Sequence, residues 1–174
     1  MDTTKAKYIE ESGMRFGPFM SGDIFPIETS TVYRQLGDTY KTVEFVCLKG
    51  EKENRRLLFI EAKSSSPNPN NRESPAFDRW IGDVAEKFRD SWQLFLAAKT
   101  GIRDASEVGT TIRETPLSQC RVLFVLVISN HELEWLPPVR DALAVQLRKL
   151  IGLWKIQVIA LNREIALSRK LITR

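Results

Sequence analysis

The chain predicts a mixed α/β domain, a central sheet of mixed strand direction flanked by helices on both faces. Two apolar segments, 43–48 and 57–63, flank a short polar stretch and read as a β-hairpin. The run Cys120–Ile128, apolar at every position but Arg121, has the mark of a strand covered on both sides. After residue 74, helix-period segments alternate with strands, which implies crossover connections and parallel neighbours.

Taken in order, residues 1–40 supply N-terminal helix and edge elements. A short helix is expected around Lys5 to Glu11, and Gly13, Gly17, Pro18 and Gly22 then punctuate turns. This stretch lacks the GK[ST] ending of a phosphate-cradling loop. Ile24–Glu28 reads as a short edge strand, because Pro26 has no N–H for a fully paired one. Thr29 or Ser30 caps a short helix reaching Leu36, with Gly37 ending it. Residues 41–64 hold the hairpin, with Glu51 to Asn54 as its loop and partners whose numbers sum to 105. Ser64 to Asn71 is a loop rich in Ser, Pro and Asn. Ser74 caps a long helix with Pro75 at its first position and Gly101 closing it. Phe77, Trp80, Ile81, Val84, Phe88, Trp92, Phe95 and Leu96 form its buried stripe; Arg79, Asp83, Glu86, Lys87 and Asp90 form a solvated face. Residues 102–118 read as a polar connection. A helix opened by Pro137 and Pro138 and running to Ile151, a strand at 156–161 and a last helix from Glu164 to Ile172 complete residues 74–174.

The 174 residues suit one domain, 43% hydrophobic and 28% charged, with no apolar run of membrane-span length. Met1–Lys7 has no apolar core and so no secretory signal, which points to the cytoplasm. Cys47 and Cys120 are expected as free thiols. No Cys/His cluster has zinc spacing, and the single His131 excludes most histidine-based schemes; a His131–Glu132 pair has no nucleophile near it in sequence. Charge is uneven: residues 138–174 carry eight basic and two acidic residues, within a chain of net charge +4. A basic end of this kind suits phosphate-backbone contact, and equally suits solvated helix faces.

Within the hairpin, the expected register sets Glu44 opposite Glu61, with Lys63 two residues further on and pointing the same way. Opposed residues have Cβ atoms roughly 4.5–5.5 Å apart. Two ionised carboxylates there repel by about 4 kcal/mol at an effective dielectric of 20. A raised pKa, a cation partner or a bound metal must offset this. Mg²⁺ prefers hard oxygen ligands and commonly takes one or two carboxylates plus water and substrate phosphate.

This arrangement resembles the PD-(D/E)xK nuclease superfamily, the restriction-endonuclease-like fold. Glu61-Ala62-Lys63 matches its acidic-x-Lys tripeptide, and Glu44 lies 17 residues upstream on the preceding strand. Glu44 stands for the commoner Asp, and Val43 for the Pro of the motif name. The resemblance implies a Mg²⁺- or Mn²⁺-dependent endonuclease acting on DNA. Glu44 and Glu61 would be its metal ligands, and Lys63 would assist the attacking water. Accessory candidates are Glu11 and Glu28 as further acids, and Ser64 and Ser65 as phosphate contacts. Without a separate DNA-reading module, target choice would come from a homodimer or a partner protein. The alternative is a catalytically inactive binding or structural subunit with the same fold. A nucleotide enzyme of alternating strands and helices is weaker, since no G-x-G-x-x-G follows any strand.

Overall fold

The structure is a computed structural model describing residues 6–71 and 74–173. Met1–Lys5, on which much of the secretory-signal expectation rests, lie outside the described residues, as does Arg174 of the basic end. In chain order the elements are β1 (Ala6–Glu11), β2 (Met14–Met20), β3 (Ile24–Phe25), α1 (Thr31–Arg34), β4 (Phe45–Lys49), β5 (Arg56–Lys63), α2 (Ala76–Lys99), α3 (Thr110–Glu114), β6 (Arg121–Ile128), α4 (Leu136–Gln146), α5 (Arg148–Trp154), β7 (Gln157–Asn162), α6 (Arg163–Ser168) and β8 (Ile172–Thr173).

The fold is mixed α/β. Its central sheet has strand order β3-β4-β5-β6-β7, with β3, β4 and β5 antiparallel and β5, β6 and β7 parallel. The edge strand β3 is shorter than the expected Ile24–Glu28: it stops just before Pro26, which lacks the N–H, and Ile27–Thr29 form a 3-10 turn. Ser30 caps α1 by accepting from the Tyr33 N–H. Register in the hairpin runs from Lys49↔Arg56 to Phe45↔Ile60, so partner numbers do sum to 105.

Alternation on β5 decides which face meets what. Leu57 and Phe59 pack with Val84, Phe88, Trp92 and Phe95 of α2. Leu58, Ile60 and Ala62 pack on the other side with Phe16, Phe19 and Ile172. Phe59 makes edge contacts with Trp92, Phe95 and Phe124, and Phe88 stacks on Phe124 at 4.8 Å. Glu61 and Lys63 follow the parity of Leu57 and Phe59, so both carry their charges to the α2 side.

Five further expectations need correction. Only one face of the central sheet is covered mainly by helices; the other carries α6 and a second sheet of order β1-β2-β8. The segment Ala6–Glu11 is a strand rather than a helix, turned into β2 by Ser12 and Gly13 at φ 51° and 72°. The connection 102–118 contains α3, whose Ile112 is buried with Val108. The helix opened by Pro137 breaks at Leu147 into α4 and α5. The last helix ends at Ser168, and Ile172 belongs to β8, paired with Phe16. Both cysteines are free, Cys47 buried and Cys120 partly so just ahead of β6. Among the described residues no helix is long and apolar enough to cross a membrane.

Candidate functional site

The regular β4–β5 ladder stops at Phe45↔Ile60. One residue beyond it, the Glu44 N–H donates to the Ile60 carbonyl at 3.0 Å, and the Glu44 carbonyl accepts from the Glu28 N–H at 3.5 Å. The Glu44 carboxyl accordingly joins Glu28 and Glu11 instead of sitting squarely across from Glu61. One carboxylate oxygen from each of Glu11, Glu28 and Glu44 lies within 4.8 Å of the others. Glu11 arrives from the end of β1, and Glu28 from the turn after Pro26.

Glu61, fully buried, takes two lysines. Its Oε1 lies 2.9 Å from the Nζ of Lys63 and 2.9 Å from the Nζ of Lys87, and Lys87 donates a hydrogen bond to Oε2 at 3.1 Å. At Oε1 the angles leave no well-formed hydrogen bond. Lys87 also reaches Glu44 at 4.0 Å and so bridges the two acid groups. The lysine side chains are 31% (Lys63) and 20% (Lys87) exposed, so both reach from buried Glu61 toward solvent.

Helix α2 builds much of this geometry. Lys87 and Ser91 are one turn apart and share a face. Ser91 accepts from the Val43 N–H at 2.8 Å, and Asp90 accepts from the Lys41 N–H at 3.0 Å. The Lys41 ammonium meets Glu86 at 2.6 Å and Asp83 at 3.2 Å. The segment entering Glu44 is thus laid along α2 by four contacts.

Four carboxyl groups and two ammonium groups leave a surplus of negative charge, with Glu44 and Glu61 buried and Glu11 and Glu28 half-buried. Burial, then a hydrogen bond with Glu28, then repulsion from Glu61 and Glu28 raise the Glu44 pKa to about 9, with Lys87 opposing. Glu11 is raised too, by burial and then by Glu28 and Glu61. For Lys87, burial pulls the pKa down, but the charge and hydrogen bond of Glu61 outweigh it and the net shift is upward. Burial and its acidic neighbours thus bias the Glu44 carboxyl toward its protonated form.

Of the residues singled out from sequence, Glu11, Glu28, Glu44, Glu61 and Lys63 come together. Ser64 and Ser65 are exposed at the start of the loop after β5, where the Ser64 carbonyl accepts from the Asn130 N–H. The neighbouring Ser66 Oγ lies 3.1 Å from His131 Nδ1, tying this loop to the one after β6. Lys87 is the residue that periodicity missed. It borders the apolar stripe beside Phe88, a place where a lysine stem packs and its ammonium reaches out. No known protein family, curated protein or solved structure matches this chain.

Proposed function

We propose that this protein is a Mg²⁺- or Mn²⁺-dependent nuclease of restriction-endonuclease-like fold, hydrolysing phosphodiester bonds of DNA. The observation that carries the reading is the surplus of carboxylates over ammonium groups gathered beside a Glu-x-Lys strand end. An all-oxygen donor set with excess negative charge fits a hard divalent cation. Glu44 and Glu61 would hold it, joined by Glu28 and Glu11. Such an ion polarises a phosphate and lowers the pKa of a bound water.

The chain's own groups divide the remaining work. Lys63, at the exposed rim, orients the attacking water or meets the negative charge that builds on the phosphate oxygens. Lys87 holds Glu61 in one position and offsets its charge. The water oxygen bonds to phosphorus as the ester P–O bond breaks, leaving a phosphomonoester end and a hydroxyl end. A homodimer or a partner protein would choose the target.

One observation favours the second reading, an inactive binding or structural subunit: Lys63 and Lys87 already close Glu61 into an ion-pair set. Incubation of supercoiled, linear and single-stranded DNA with Mn²⁺, alongside EDTA and Lys63→Ala, separates the two. The nuclease reading expects EDTA-sensitive cleavage, slowed by roughly 10²-fold or more in Lys63→Ala. Cleavage by that variant at the wild-type rate overturns the assignment.

A further inference from the structure

Where α4 gives way to α5, an open cavity of about 530 Å³ is lined by Arg89 of α2 together with Val145, Leu147, Arg148, Lys149 and Leu150. That is within the size range of small-ligand pockets. No carboxylate lines it. Arg89 Nε is buried and has no hydrogen-bond partner among the described residues. A buried N–H of a cation without a partner is costly and calls for an acceptor. Arg148 and Lys149, both exposed, line the same cavity.

We infer that this cavity is an anion site that takes a phosphate group, held by Arg89, Arg148 and Lys149. Two guanidinium groups and an ammonium suit the double charge and several acceptor oxygens of phosphate better than a single carboxylate. The apolar walls from Val145, Leu147 and Leu150 leave room for the organic part that carries the phosphate. The site is separate from the acidic centre: Arg89 and Lys87 lie about 200° apart around α2, so their side chains leave opposite sides of the helix. It does not rest on the nuclease reading.

The test is calorimetric titration of the full chain, in EDTA, with inorganic phosphate and separately with a 16-base-pair DNA duplex. Loss of one charge-assisted hydrogen bond is worth about tenfold or more in affinity. Arg89→Gln and the double variant Arg148→Gln/Lys149→Gln should each weaken binding by at least that factor. The exposed control Lys52→Gln/Arg121→Gln, which removes as much charge elsewhere, should not. Binding of inorganic phosphate would point to a small phosphate compound; binding of the duplex alone would point to a nucleic-acid backbone. Failure of both to bind, or equal weakening by the control, overturns the inference. The double variant, on the surface, keeps the test valid should Arg89→Gln unfold.

Discussion

Glu44 is 9% exposed, with its pKa raised to about 9 by burial first and then by its acidic neighbours. A carboxyl group held this way opposes folding whenever it must ionise, and perturbation of this kind is common at functional sites. Glu44→Gln keeps the shape and removes the charge problem. In EDTA at pH 8 the variant should melt higher than wild type, by about 2–4 °C for each kcal/mol gained, as differential scanning calorimetry would read. Lys87 behaves oppositely. Lys87→Ala leaves buried Glu61 with Lys63 as its one ammonium partner and should cost about 3 kcal/mol in urea unfolding. A Lys87→Ala protein as stable as wild type would mean that the two pairs drawn to Lys87 contribute nothing.

Helix α2 is the element that connects packing to chemistry. One side anchors Phe88, Trp92 and Phe95 in the core; the adjoining side offers Lys87, Asp90 and Ser91 to the segment that delivers Glu44. Ser91→Ala leaves the buried Val43 N–H without its acceptor, a loss of about 1–3 kcal/mol. Because that contact lies one residue from Glu44, the variant should also bind Mn²⁺ less tightly while retaining all four acids. The hairpin on the other side of the site was legible from sequence because its signals are local. An apolar run, a polar loop with Gly50 and Asn54, and the parity of the strands set both its register and the face of Glu61. Gly50, at φ 82°, sits where a Cβ would meet the Asn54 carbonyl, so the turn needs that residue. The β1–β2 hairpin was not legible, since Gly17 and Pro18 interrupt its alternation and its partner β8 lies at the far end of the chain. Nor was Lys87: periodicity separates polar from apolar positions but does not say which acid waits opposite.

At the scale of the molecule, the site couples stability to pH. Glu44 binds its proton more tightly folded than unfolded, between the ordinary glutamate pKa of about 4.3 and about 9. Over that window its contribution to stability is greatest at the acid end and is lost as pH rises through the folded value. Thermal unfolding in EDTA should therefore show this group's contribution falling from pH 6 to pH 9, a trend that Glu44→Gln removes. A divalent cation bound there would reverse the trend, because it would take the ionised carboxylate and release the proton. The most direct test of the acidic centre as a divalent-cation site is a titration of the folded protein with Mn²⁺ at pH 7 and pH 8.5, followed by electron paramagnetic resonance. The expected result is saturable binding that strengthens with pH and is lost in Glu44→Gln. No binding at millimolar Mn²⁺ by wild-type protein, or binding unchanged in Glu44→Gln, would contradict it.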